Sequence, residues 1–593
     1  MRLSSHLVSV AFLAVAFRAN AAEIYVSPSG TATTGCTRST PCSLASAAGS
    51  AVAGDTVILM DGVYDTSLYV ANSGTEEAWI TFKADQCATP IIEGPGVGPT
   101  DDSQTNGVGS AEAEYVRFQG IVARGWNIGF GNGWAGGVDS DEESNGHWEI
   151  EHCISYSNGR TGFTFFSAEN FTLKHSISAH NGSSQTHSWS SGVTLFEAHG
   201  TNLVEGTISF ENTDAERNTD GSGFIVDEES NNATFVNNIA FGNAGSCLRL
   251  TDSSGTRFIN NTCYHNSQFG SRAMAPSNPG ELYFTNAGVT IQNVSFMNNV
   301  IVGTGQSPAG PMPVVNQPPS GWSNNVVMTG NVAFFADPTG ANPDFTSAAG
   351  ETTLVGQGSS ADGVPTNDVG FDPKCIVKRT PVMVGEVARE NWWQYDIDIE
   401  YIQSIGGVAG CFNPAARSGT PDIGAYRAGT VTTVAPGSCI PPVVEPETTT
   451  DGGTSTTGDA TGTNMGGAAG ASMDETASTG AGGAAMGGAT NTASTSTSIS
   501  VSSATGNAQT TTSTQSSTGG ATSAGIGSTV TSSSTAVGAS TGGPGGTPAG
   551  DDGGCGCRLA PTRDFGRFSA WVGALGLGLV LMRRRRRTSP VIE

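Results

Sequence analysis

The sequence predicts an all-β solenoid, and two observations carry that prediction. The first is a repeated phrase that ends on asparagine: Ile154-Ser-Tyr-Ser-Asn158, Ile177-Ser-Ala-His-Asn181, Ile208-Ser-Phe-Glu-Asn212, Ile239-Ala-Phe-Gly-Asn243 and Thr262-Cys-Tyr-His-Asn266. The steps between asparagines are 23, 31, 31 and 23 residues. A fixed period that tolerates insertions of about eight residues marks stacked repeats. The second is alternation inside each phrase, which is strand periodicity with one face turned inward. Asparagine suits the end of each phrase because it accepts a left-handed turn and can stack its amide on the next coil. An ordinary antiparallel sandwich would show turn signals every 8–12 residues without a fixed Asn register.

Each remaining segment has its own reason. Residues 1–22 read as an export signal, with Arg2, an apolar run from Leu7 to Phe17, and Ala19-Asn20-Ala21 as a small-residue cleavage site. Residues 23–440 form the folded part. A Ser-Leu-Ala-rich stretch at 43–53 reads as an amphipathic helix that caps one open end of the solenoid, where core and strand edges would otherwise be exposed. The irregular region 320–440 is expected to cap the other end. Its Trp392-Trp393-Gln-Tyr395 run reads as cap packing rather than a sugar platform. From 441 to 554 the chain is Ser, Thr, Gly and Ala with scattered acids, and it lacks aromatic, cysteine and basic residues. Such a stretch buries too little apolar surface to offset its chain entropy, so it reads as a disordered stalk with a reach of roughly 60 Å.

Of the 11 cysteines, all but Cys555 and Cys557 fall within 23–440, which fits an exported, oxidising setting. Cys36 and Cys42 are close enough to staple a loop, and Cys375 with Cys411 can staple the C-terminal end. Cys153, Cys247 and Cys263 read as core thiols. No CxxC or His-rich spacing in 23–440 suggests zinc. The formal charge of −26 argues against nucleic acid and anionic membrane as partners.

The opening residues carry a resemblance. Glu23-Ile-Tyr-Val-Ser-Pro-Ser-Gly30, the Ala-rich 41–48 stretch, Gly54-Asp-Thr-Val-Ile-Leu-Met-Asp-Gly-Val-Tyr64 and the later Thr420-Pro-Asp-Ile-Gly-Ala-Tyr426 resemble the start and close of secreted right-handed parallel β-helix proteins, the pectate-lyase-like superfamily. The resemblance spans roughly 23–430. It implies a right-handed parallel β-helix with N- and C-terminal caps, and it says little about chemistry. The tail, 555–593, is similar to the myxobacterial C-terminal sorting signal: Cys555-Gly-Cys557, a short apolar run from Phe568 to Met582, and Arg583 to Arg587. That resemblance implies processing at Cys555 and Cys557 by sorting machinery, a short transmembrane segment and display on the cell surface.

The repeat spacing points to a site. The two long steps insert residues at one point of successive coils, so the loops Gly182–Ser191 and Thr213–Gly221 should be neighbours on one side. Paired insertions of this kind build the binding face of a repeat protein. They carry Gln185, His187 and Trp189 for a sugar, and Asp214, Glu216 and Asp220 as oxygen ligands for Ca2+. Asn218-Thr-Asp-Gly221 is similar to the Asn-Thr-Asp element of polygalacturonases. Where that family places a paired aspartate, this chain reads Asn243-Ala-Gly-Ser-Cys-Leu248, so a hydrolase of that type is disfavoured. Lyases of the resembled fold use Ca2+ with a Lys or Arg as proton acceptor. Further acids stand at Asp139, Asp141, Glu142 and Glu143, and at Asp227, Glu228 and Glu229. The bases are Lys174, Arg217 and Arg249, of which Arg217 and Lys174 are the candidates for catalysis. The expected function is action on, or binding to, a polysaccharide that contains uronate. The alternative is a non-catalytic glycan-binding or adhesion protein.

Overall fold

The computed structural model of the chain describes residues 21–96, 105–110, 112–132, 145–186, 189–216, 220–268, 280–285, 290–304, 312–315, 321–361, 363–379, 393–429 and 431–440. The expected signal up to residue 20, the stalk and the tail with Cys555 and Cys557 lie outside them. No described helix is long and apolar enough to cross a membrane.

Among the described residues, three parallel sheets make the solenoid, and the chain visits them in turn. Sheet A has 11 strands, from Glu23–Val26 to Trp322–Ser323. Sheet B has 10, from Val63–Tyr64 to Val326–Thr329. Sheet C has 9, from Leu68–Tyr69 to Met312–Val315. One coil is 148–151 in sheet A, 154–156 in sheet B and 163–166 in sheet C. The expected cap helix forms over Leu44–Ser50, shorter than 43–53, with Ser43 capping its first turn and Leu44, Ala47 and Ala48 buried.

Inside the coils, sheet A contributes Ile150, Leu173, Val204, Phe235, Phe258 and Phe296 in one register. Sheet C contributes Phe163, Val193, Phe224, Leu248 and Leu282. All are buried. Sheet B presents small residues inward. The hydroxyls of Ser155, Ser178 and Ser209 donate to the carbonyls of Gly162, Gly192 and Gly223 at 2.8, 2.8 and 2.9 Å, so these polar groups are satisfied.

The isoleucine column therefore faces the other way. Ile154, Ile177, Ile208 and Ile239 do stack in one register and are buried. They belong, however, to a second core on the outer face of sheet B, beside a row of Tyr156, Ala179, Phe210, Phe241 and Tyr264. What covers them is the C-terminal region. Phe345 packs on Phe241 and Tyr264 at 5.2 and 5.4 Å, Tyr395 on Phe241 at 5.8 Å, and Phe412 on His175 at 5.6 Å. The Cys87–Cys439 disulfide ties the end of this region to an early coil. The region expected to cap the far end is thus a brace along the side of the solenoid. Alternation told that the two faces of sheet B differ; it did not tell that the apolar face looks outward.

The asparagine ladder forms. Nδ2 of Asn158, Asn181, Asn212 and Asn243 donates to Oδ1 of the next asparagine at 2.9, 2.9, 2.9 and 2.8 Å. The left-handed conformation sits one residue earlier than expected, at Ser157, His180, Glu211, Gly242 and His265. Asparagine is there for its amide, which is buried and doubly bonded. A second ladder, Asn238–Asn261–Asn299–Asn325, follows another corner. The cysteines differ from expectation in one pair: Cys36–Cys42 and Cys375–Cys411 form as read, Cys247 and Cys263 are disulfide-bonded to each other, and Cys153 is free and buried.

The first ladder ends on a carboxyl. Glu281 accepts from the Asn266 backbone N–H at 2.8 Å and from Nδ2 at 2.7 Å. Burial pushes Glu281 up to about 8, well above the ordinary 4.3 or so of a glutamate. The folded form keeps this proton while the unfolded chain releases it. Stability should therefore fall as pH rises from about 4 to about 8, then level off. Urea melts of wild type and Glu281→Gln across that range should show the slope reduced in the variant.

Candidate functional site on sheet C

Sheet B lies under the brace, and on sheet C the outward Thr164, Ile225 and Arg249 are buried as well. Sheet C is the one flanked by the paired loops. They stack on one another as the spacing required: Ala215 N–H donates to Gly182 O at 3.0 Å and Gly221 N–H to Ser190 O at 2.7 Å. Gly182 is required at this contact. Its φ is +90°, and a Cβ there would stand 1.6 Å from the carbonyl oxygen of Thr213.

The residues expected at the site divide. Asp214 and Asp220 are brought together and buried, and the Asp220 N–H donates to Oδ2 of Asp214 at 3.3 Å. Asp220 is ion-paired with Arg249 of sheet C, itself buried. Glu216 is half-buried beside them and Gln185 is exposed. Trp189 is 36% exposed and holds a left-handed backbone, φ +63°, which is rare for so bulky a residue. His187 and Arg217 lie outside the described residues, as do Asp139, Asp141, Glu142, Glu143 and Trp392. Lys174 lies on sheet A, where its Nζ is 3.5 Å from Glu205, so it is on a different face from the loops. Trp393 stacks on His180 at 4.0 Å, in the packing role expected of it.

The outer face of sheet C adds what the sequence reading did not single out. Phe166, Phe196 and Asp227 occupy one outward register on three successive coils, and Thr251 follows Val226 and Leu250 by one place in the next. The two rings stack at 4.8 Å with 7° between planes. Asp227 sits beside them, partly buried. Burial is the main cause that lifts its carboxyl to about 7, and the nearby Glu228 and Asp252 charges add to it. Thr251 holds the next place in this register, and its Oγ1 accepts from Arg249 Nε at 3.2 Å. A polar chain Asp214–Asp220–Arg249–Thr251 therefore runs from the loops to the coil next to Asp227. Asp227 was visible in the sequence only as one acid among many. Its equivalence to Phe166 and Phe196 needs the register across the two long loops.

Chemically, the row carries two aromatic rings stacked on one another and one carboxyl that changes charge near neutrality. The fit of a calcium ion is poorer. Hard cations take six to eight oxygen ligands. Asp220 already has a guanidinium on it, and one oxygen of Asp214 accepts a backbone N–H.

A family model described as a right-handed β-helix region matches residues 105–316. The described coils around this match form a parallel β-helix. Among solved structures it is similar to the pectate lyase Pel9A, at 16% identity over 58% of this chain and 93% of that one, TM-score 0.39. It is also similar to an alginate lyase from Paenibacillus sp. strain FPU-7, at 12% identity over 52% and 98%, TM-score 0.32. A third is the periplasmic alginate epimerase AlgG, at 12% identity over 47% and 61%, TM-score 0.32. Among curated proteins none matches.

Proposed function

We propose that the chain is a carbohydrate-active β-helix that binds a polysaccharide along the outer face of sheet C and transfers a proton there through Asp227. The observation that supports this most is the row of Phe166, Phe196 and Asp227 at the ends of the sheet C strands into which the paired loops lead. The substrate class is a uronate-containing polymer and the reaction is elimination. The Asp227 carboxylate takes the proton on the carbon next to the uronate carboxyl, the C–H pair becomes a C=C double bond to the neighbouring carbon, and the glycosidic oxygen leaves that carbon with its bonding pair and takes a proton from water. Arg249 of sheet C, ion-paired with Asp220, stands beside the loops where calcium was expected. No step is routed through calcium, and a chelator should leave turnover unchanged.

The test is incubation with a panel of uronate polymers, read by absorbance and mass of unsaturated fragments. Wild type should release them, and Phe166→Ala with Phe196→Ala should weaken binding by roughly 10-fold or more, at about 1–1.5 kcal/mol per lost ring contact. Saturated fragments would replace elimination by hydrolysis. Binding without any fragment would favour the alternative, a surface glycan-binding or adhesion protein.

The same proposal has the chain exported and held at the cell surface by sorting machinery. Four disulfides among the described residues support an oxidising compartment. Replacing Cys555 and Cys557 with Ala should leave the protein exported but mis-sorted. Wild-type surface level with unchanged mass would contradict the sorting part.

A further inference from the structure

A different cluster lies away from sheet C, where the chain turns from sheet A to sheet B. His152 and His175 occupy the same place on successive coils, and their rings stack at 5.5 Å with 15° between planes. Both hold the left-handed backbone, with φ of 53° and 44°, a minority conformation for a residue with a side chain. Glu151 stands next to them. Its Oε1 is 3.9 Å from Nδ1 of His175, and its Oε2 accepts from Nε2 of Gln119 at 3.2 Å. One donor atom from each of Glu151, His152 and His175 lies within 4.8 Å of the other two. All three residues are partly exposed, and Phe412 of the C-terminal brace packs against both imidazoles, at 5.9 and 5.6 Å.

We propose that Glu151, His152 and His175 form a transition-metal site whose preferred occupant is Zn2+. Two imidazole nitrogens and one carboxylate oxygen are a donor set that zinc takes, with a fourth position left for water. Calcium and magnesium take oxygen donors, so the same three residues discriminate against them. Gln119 holds the carboxylate oxygen that faces away from the histidines and so orients the other toward them. Zinc bonds of about 2.0–2.2 Å, made in the plane of each imidazole, need the three donors to draw closer and the stacked rings to turn toward a common point, a side-chain movement at a half-exposed position. The occupied site clamps two neighbouring coils together next to the brace. Sequence spacing suggested no zinc because the two histidines meet only through coil stacking. The site is independent of the proposed polysaccharide face.

The experiment uses the full-length protein freed of metal with a chelator. Zn2+ is titrated calorimetrically into wild type, the His152→Ala/His175→Ala double variant and Glu151→Gln. Wild type should bind one equivalent more than the double variant, and Glu151→Gln should hold that equivalent at least about 10-fold more weakly. Zinc taken up elsewhere, at the Cys555 and Cys557 thiols, is common to all three proteins. Ca2+ should show no difference between wild type and variants. Cobalt should give wild type a four-coordinate visible absorption in excess of any that the double variant shows. Should the double variant fail to fold by circular dichroism, the single His152→Gln and His175→Gln variants read the same difference. Equal zinc uptake by wild type and folded variants, or a wild-type preference for Ca2+, would overturn the site.

Discussion

Phe241→Ala should lower the free energy of unfolding by about 3–5 kcal/mol. Phe241 is buried on the outer face of sheet B, stacked on Phe210 at 5.0 Å and touching Phe345 and Tyr395 of the brace. Removing the ring opens a cavity between two bodies of the same core, and neither can collapse into it while its own strands stay paired. Chemical denaturation gives the magnitude. Hydrogen exchange gives the location: protection should fall across 331–440 before it falls in sheet A. The same logic gives Ile208→Ala a cost of about 2–5 kcal/mol. A change below about 1 kcal/mol for Phe241→Ala would mean that the brace does not depend on this contact.

Asp227→Asn should abolish turnover of a uronate polymer while leaving binding near wild type. A positioned acid–base group is worth about 100- to 10,000-fold in rate, and an amide keeps the shape while losing the proton chemistry. The pH dependence has a definite sign. The carboxyl is raised to about 7, so the carboxylate that accepts a proton is present above that value. Activity should rise through about pH 7 and level off on the alkaline side. A variant with wild-type rates, or a wild-type profile that falls through the same range, would remove Asp227 from the proton-accepting role.

Much of the solenoid was legible because its period is written covalently. Asn158, Asn181, Asn212, Asn243 and Asn266 recur at spacings that only stacked coils can satisfy, and the loop insertions at Gly182 and Thr213 could be placed side by side from counting alone. What escaped depends on tertiary contact. Nothing in the Ile-Ser-Tyr phrase says whether isoleucine or serine faces the lumen. That was decided by a C-terminal region with no repeat of its own and by the Cys87–Cys439 link across 352 residues. Asp227 gained its raised pKa from burial beside Phe196 and from the neighbouring coil's Asp252. These effects follow from register across loops of unequal length, which a single sequence does not display. Lys174 shows the opposite failure. Its residue type fitted the chemistry, and its strand put it on another face.

The central functional claim is that sheet C is the working face, and a crystal structure of the chain with a bound oligouronate tests it most directly. The predicted result is a saccharide running across successive strands of sheet C, one ring over Phe166 or Phe196 and a ring carbon within reach of Asp227. A saccharide seated on the outer face of sheet A or on the C-terminal brace, with sheet C empty, would contradict it.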